Sequence, residues 1–215
     1  MFTLGYYVNA DIIKEKLDHK GFFDLHEMSK IKELPERWED FLNSEHIPDV
    51  VESEYLEKTI CFNNGVLKAS AKLSSYDAAA IASFLRSECI RNQISCTGET
   101  VFSHPSKIDL LTAAKANNFK TYFYFIATAD PEINVIRVNN RVREGGHGVD
   151  REKIISRYHR AMNLAAEAFV KADRSFIIDN SYSEPHLYLE KNNEELWIRK
   201  SNLPRWIEKF ILNKT

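Results

Sequence analysis

Little in this sequence suits a membrane, a secreted scaffold or a nucleic-acid surface. No apolar run reaches the roughly 20 residues that a bilayer-spanning helix needs. The opening residues, MFTLGYYVNAD, lack the basic stretch and apolar core of a signal peptide. There are only three cysteines, Cys61, Cys89 and Cys96, an odd set without CxxC spacing. They read as reduced thiols of a cytoplasmic protein, with Cys89 packing as a small hydrophobe on a helix. Positive charge is not in excess: 29 Lys and Arg against 31 Asp and Glu give a formal net charge of −2. No global positive field therefore recruits nucleic acid or an anionic membrane, and any phosphate binding has to come from a local cluster. The seven histidines show no HExxH or related spacing, so no protein-bound metal is expected. Ser103 has no GxSxG surroundings, which removes a serine-hydrolase elbow.

What is present is an ordinary globular composition, 44% hydrophobic and 28% charged over 215 residues without an internal repeat. It fits one domain spanning 1–215. Gly5 to Ala10 reads as a short strand, and a helix begins at its end with DIIKEKL. Leu34, Trp38, Phe41 and Leu42 share a helix face within Glu33 to Asn43. Residues 31–72 otherwise form an insertion with little pattern. Ser75 to Asn92 is a helix with an apolar stripe of Ala79, Ile81, Ala82, Leu85 and Cys89, capped by Ser74 or Ser75. A strand within Ser95 to Phe102 and a helix from Pro105 and Ser106 follow. Lys120 to Thr128, KTYFYFIAT, is apolar without alternation. That is how a central parallel strand covered on both faces reads. Asp130 and Pro131 open a helix to about Arg143, GGHG breaks it, and Asp150 caps the next helix, Arg151 to Lys171. RSFIID is a further buried strand. The extension 183–215 holds a hairpin around Asn192–Asn193 and a short helix from Pro204 to Leu212. Strands alternating with helices imply an α/β fold with a mainly parallel sheet, whose ligands sit at the carboxyl ends of the strands.

That rule selects the rim of a candidate site. Asp11 at a strand end can accept the proton of an attacking hydroxyl; the alternative is a helix cap. Glu99 and Thr100 can orient substrate hydroxyls, or Glu99 is a charge on a sheet edge. His104 can contact substrate, or is only a loop residue. Arg137 and Arg141 lie four apart on one helix, and Arg157 and Arg160 three apart on the next, with Gly145-Gly146-His147-Gly148 between. This is the layout of a lid that closes on a phosphate, since the planar guanidinium grips phosphate oxygens in pairs. The alternative is two solvated helices whose arginines pair with Glu144, Asp150 and Glu152.

Taken in order, VNAD (Val8 to Asp11), GETVFSHPSK (Gly98 to Lys107), Tyr122 to Val149, ISRYHRAMNL (Ile155 to Leu164) and FIIDNS (Phe176 to Ser181) resemble the zeta-toxin-like family of P-loop kinases. The resemblance implies a three-layer α/β/α kinase fold and transfer of the ATP γ-phosphate, with Mg²⁺, to a hydroxyl of a small molecule. In the zeta toxins that acceptor is a UDP-linked amino sugar such as UDP-N-acetylglucosamine, and an antitoxin protein is the implied partner. By position, Asp11 looks like the catalytic base, and Asn9, Glu99, Thr100 and His104 fall in the substrate-binding segments. Arg141, Arg143 and Arg157, with Arg160, look like the set that meets the phosphates, and Asn180 lies in a segment similar to one near the nucleotide base. The departure is at the start. No GxxxxGK[ST] occurs in these residues, and Gly5 to Ala10 would be the second strand of the kinase sheet, the first strand and its P-loop being absent. That loop normally cradles the phosphates and helps to hold Mg²⁺. The expectations are therefore a zeta-toxin-like kinase disabled as written or, from another class, a non-catalytic sugar-nucleotide-binding homologue.

Overall fold

Two aromatic residues and a valine, Tyr6–Val8, form strand β1, with Tyr6 and Val8 buried and Tyr7 exposed. The computed structural model describes residues 5–29, 31, 33–44, 47, 50–63 and 65–214. The chain divides into two compact units, Met1–Thr100 and Val101–Thr215, each with its own hydrophobic core. Among the described residues no helix is long and apolar enough to cross a membrane.

In the first unit β1 leads into α1 (Ala10–Lys20), which buries Ile13 and Leu17. β2 (Phe22–Asp24) and a single 3-10 turn at His26–Met28 follow. α2 (Leu34–Leu42) presents Leu34, Trp38 and Leu42 to the core, the face read from its spacing. Between residues 44 and 74, where little was expected, lie α3 (Ser53–Thr59) and a hairpin of β3 (Ile60–Asn63) and β4 (Val66–Ala69). β2 joins that hairpin, giving an antiparallel sheet in the order β2-β4-β3. Its strands have three or four residues each, too short for a period-two pattern to stand out.

α4 (Ser75–Arg91) is the centre of this unit. Ser74 and Asp77 close a capping box at its start, which satisfies free N–H groups reciprocally. The helix is buried on nearly every side, including Asp77, Arg86 and Glu88, whereas Ala79, expected in the apolar stripe, is exposed. Phe84 meets Trp38 at 5.1 Å and Phe62 at 5.5 Å between ring centroids. Such edge-on pairs add about 0.5–1.5 kcal/mol each beyond their burial. Glu88 is tied by Arg37 at 2.7 Å and Arg91 at 3.2 Å, so this buried carboxylate is paired. β5 (Cys96–Gly98) runs parallel to β1 with Val8 opposite Gly98.

The second unit opens with α5 (Ser106–Ala116) and β6 (Tyr122–Ala127). α6 (Pro131–Arg143) and α7 (Arg151–Lys171) start at Asp130 and Asp150, whose side chains accept from the first free N–H groups as the sequence suggested. β7 (Arg174–Asp179) pairs parallel with β6. β8 (His186–Asn192) and β9 (Glu195–Ile198) extend that sheet by antiparallel pairing in the order β6-β7-β8-β9. α8 (Arg205–Phe210) closes the core with Trp206 and Ile207.

The protein is thus mixed α/β, and two expectations are corrected. No mainly parallel sheet forms among the described residues. The parallel pairs β1–β5 and β6–β7 belong to different sheets, and the remaining pairings, β2–β4, β3–β4, β7–β8 and β8–β9, are antiparallel. Nor is β6 a central strand covered on both faces. It is an edge strand whose Phe123 and Phe125 are buried while Tyr122, Tyr124 and Ile126 are exposed. Apolar residues on both faces of a strand specify burial only where a second layer is present.

Candidate functional site

Tyr7 and Asn9 follow the two-residue alternation of an extended chain, so both leave the buried row of Tyr6 and Val8. The Asn9 side chain does two things. Its Oδ1 accepts from the backbone N–H groups of Asp11 at 2.9 Å and Ile12 at 3.2 Å, which makes Asn9 the cap of α1. Its Nδ2 donates to Glu99 Oε2 at 2.7 Å and to the Tyr7 hydroxyl at 3.2 Å. The Tyr7 hydroxyl in turn donates to the same Glu99 oxygen at 2.8 Å. The Asn9 amide lowers the Tyr7 pKa, but the hydrogen bond to Glu99, burial and the Glu99 charge outweigh it, so the net shift is upward.

Two residues selected from the sequence, Asn9 and Glu99, therefore converge at the carboxyl end of the β1–β5 pair. Asp11 sits in the first turn of α1 with its side chain exposed. Because Asn9 supplies the cap, the Asp11 carboxylate is not used as one. Thr100 is exposed immediately after Glu99. Tyr7 is not among the residues that strand ends pick out, although the alternation of β1 puts it beside Asn9. Arg86 was not selected either: a lone cation within AIASFLRSECI was the signal. It is 6% exposed, and burial lowers its pKa from the ordinary value against the opposing pull of the Cys96 and Cys89 thiols. Those thiols are hydrogen-bonded to each other, which raises Cys89 and lowers Cys96.

The remaining selected residues lie in the second unit. His104 is engaged locally: its Nδ1 is 2.9 Å from Ser106 Oγ and accepts from the Ser106 N–H at 3.3 Å, beside the start of α5. Where α6 ends, Gly145 adopts φ +90, a left-handed value that costs glycine little. Gly146 N–H donates to Arg141 O at 2.9 Å, and a Cβ on Gly146 would meet Arg141 Cγ at 2.6 Å. Arg141 Nη2 donates to His147 O at 3.0 Å, and Arg143 Nη1 to Asn140 Oδ1 at 3.4 Å. Arg151 at the start of α7 is paired with Glu132 at the start of α6. Glu144, Asp150 and Glu152 are not the partners of the selected arginines. Arg141, Arg143, Arg157 and Arg160 carry no carboxylate within ion-pair distance among the described residues, whose arginine pairs in this unit involve Arg151, Arg174 and Arg199.

At the carboxyl end of β7, Asp179 is 1% exposed and accepts from the Trp206 Nε1–H at 2.9 Å, the Ser181 N–H at 2.7 Å and the Ser181 hydroxyl. Ser181 Oγ also accepts from the Ala129 N–H at 2.7 Å. The Asn180 N–H donates to Ala127 O at 2.7 Å, which positions Asn180 at the end of the β6–β7 pair. Tyr158 donates to Thr128 O at 2.9 Å; burial, then Asp130 and Asp179, push its pKa up to about 12. Among the described residues no three His, Cys, Asp or Glu side chains converge as a metal site.

The fold and these clusters define a mixed α/β protein with polar side chains gathered at the carboxyl ends of two parallel strand pairs. Its similarity to other proteins is slight. A Haemophilus influenzae protein described as an uncharacterized protein is 28% identical over 116 residues, 54% of this chain and 79% of its own length. No family model and no solved structure matches the chain.

Proposed function

We propose that this chain carries the acceptor-binding and phosphate-gripping parts of a zeta-toxin-like kinase, which transfers the ATP γ-phosphate to a hydroxyl of a UDP-linked amino sugar. The observation that carries the reading is the Asn9–Tyr7–Glu99 cluster beside an Asp11 that is relieved of capping. A carboxylate held by two donors keeps its second oxygen for substrate hydroxyls, and the nearby Asp11 can take the proton of the attacking one. In the second unit, arginines without carboxylate partners on α6 and α7 suit the oxygens of a transferring phosphoryl group. Asn180, at the end of the β6–β7 pair, is assigned to the nucleotide base.

Among the described residues no three His, Cys, Asp or Glu side chains converge as an all-protein cage, and Mg²⁺ in such sites is usually held by one or two carboxylates together with substrate phosphates. In this reading the ion arrives bound to the nucleotide phosphates. The phosphate-cradling loop likewise has to come from outside these 215 residues, which contain no GxxxxGK[ST]. That fact favours a second reading, a module that binds a sugar nucleotide without phosphoryl transfer. An antitoxin partner belongs to the first reading alone.

Titration of the 215-residue chain with UDP-N-acetylglucosamine tests what both readings share. Binding is expected, with Glu99→Gln weakening it at least ten-fold; an unchanged affinity in that variant refutes both. Mass spectrometry of the sugar nucleotide after incubation with MgATP and the protein as its own cell makes it separates them. A product heavier by one phosphate supports the kinase, and its rate should fall by orders of magnitude in Arg141→Ala and Arg157→Ala with unchanged melting.

A further inference from the structure

Every other residue on the inner face of α4 around Arg86 is core. Ala82, Leu85, Cys89 and Ile90 are all buried in the first unit. Arg86 is nonetheless a cationic residue only 6% exposed, and among the described residues its hydrogen bond is a long one, Nη2 to Ser83 Oγ at 3.4 Å. Among the described residues the arginine–carboxylate pairs of this unit are Arg37 with Glu33 and Glu88, and Arg91 with Glu88; Arg86 is in none of them. A buried cation without a carboxylate is strongly unfavourable. Two residues further on, buried Glu88 has two arginines, so this helix does pair its charges elsewhere.

The position of the guanidinium supplies the reason. It lies against Gly98, where a Cβ would stand 2.9 Å from Arg86 Cδ and 3.3 Å from Nη1. Gly98 is the last residue of β5, opposite Val8, and is followed at once by Glu99 as Val8 is by Asn9. Arg86 thus lies against the carboxyl end of the parallel pair, in the row of Val8, where a Cβ on Gly98 would crowd it. Its nitrogens are not sealed in. Among the described residues the fully buried, unbonded side-chain nitrogens are Trp38 Nε1 and Arg174 Nε, so the unbonded Arg86 nitrogens touch the surface.

We propose that Arg86 is the anion-binding residue of the first unit's site, its fork receiving phosphate or diphosphate oxygens of a ligand whose hydroxyls meet Glu99. The inference rests on the acceptor-site reading and deepens it: it names the side chain that would hold the diphosphate of the UDP-linked sugar. Arginine suits the task because two parallel N–H groups fix the anion and the charge persists despite burial.

Inorganic pyrophosphate and UDP-N-acetylglucosamine, each titrated calorimetrically into the 215-residue chain and its Arg86→Gln, Arg86→Lys and Glu99→Gln variants, provide the test. Arg86→Gln should bind both probes about ten- to hundred-fold more weakly. It should melt at or above the wild-type temperature, because an uncompensated buried charge is gone. Arg86→Lys should recover part of the affinity. Glu99→Gln should weaken the sugar nucleotide and leave pyrophosphate unchanged. Equal affinity of wild type and Arg86→Gln for both probes overturns the proposal, as does a large fall in melting temperature, which would mark a structural role. Failure of wild type to bind either probe also overturns it. Arg86-dependent pyrophosphate binding with no sugar-nucleotide binding sinks the acceptor reading but leaves Arg86 as an anion site. Glu99-dependent sugar-nucleotide binding indifferent to Arg86 does the reverse.

Discussion

Replacing Asn9 by Asp separates the two tasks of that side chain. The cap on α1 survives, since Asp caps a helix as well as Asn does. The nitrogen that donates to Glu99 Oε2 at 2.7 Å becomes a second carboxylate oxygen. Two unit charges that close repel by about 1.5 kcal/mol even in a water-like dielectric. The lost hydrogen bond to a charged group adds up to roughly 1.5 kcal/mol. Rotation of the two exposed groups apart, and about 0.5 kcal/mol from extra negative charge at a helix start, offset part of this. The expected deficit is about 1–2 kcal/mol at pH 7. Its pH dependence has a definite sign. Facing carboxylates raise one folded-state pKa above its unfolded value. The protonated pair is therefore tolerated below about pH 4, and stability is lost as pH rises through the raised value. Urea denaturation of wild type and Asn9→Asp at pH 7 and pH 4, followed by circular dichroism, should show a deficit at pH 7 that largely vanishes at pH 4. A deficit equal at both pH values, or none at pH 7, would refute the assigned geometry of Asn9 and Glu99.

Two further outcomes concern the second unit. Asp179→Ala strands the Trp206 indole N–H and the Ser181 N–H in a buried setting, and should destabilise the unit by roughly 2–5 kcal/mol. Urea unfolding followed by tryptophan fluorescence reads this, and a loss under about 1 kcal/mol would refute the network's importance. Ile126→Lys places a charge on the exposed face of an edge strand. It should leave stability within about 0.5 kcal/mol and reduce self-association in concentrated solution by sedimentation. Loss of several kcal/mol would show that something covers that face.

Long helices were legible, and so were their boundaries. The Asp130-Pro131 and Asp150 starts and the Ser74 cap are local chemistry, and local chemistry survives folding unchanged. The β8–β9 hairpin announced itself through Asn192–Asn193. Sheet membership was not legible, because pairing is decided by partners far along the chain. KTYFYFIAT reads as a strand either way, but nothing within it says whether one neighbour or two will come. The short strands of residues 22–69 carry too few residues to declare a period. Of the candidate cluster, Asn9 and Glu99 were legible as residues at strand ends. Tyr7 required the alternation to be followed one step further. Arg86 required knowing that α4 is buried all round, which its weak stripe concealed.

The Asn9–Glu99 contact joins residues 90 positions apart. It depends on a three-residue parallel pairing that closes almost the whole of the first unit into a loop. Closing so long a loop costs entropy that other contacts in the unit have to offset. The cluster at Glu99 cannot form without it, since Tyr7, Asn9 and Glu99 come from its two strands and the residues just after them. Any ligand held there binds only molecules that have completed that pairing, and in doing so slows its reversal. A ligand held there therefore adds its binding free energy to the cost of opening the closed chain.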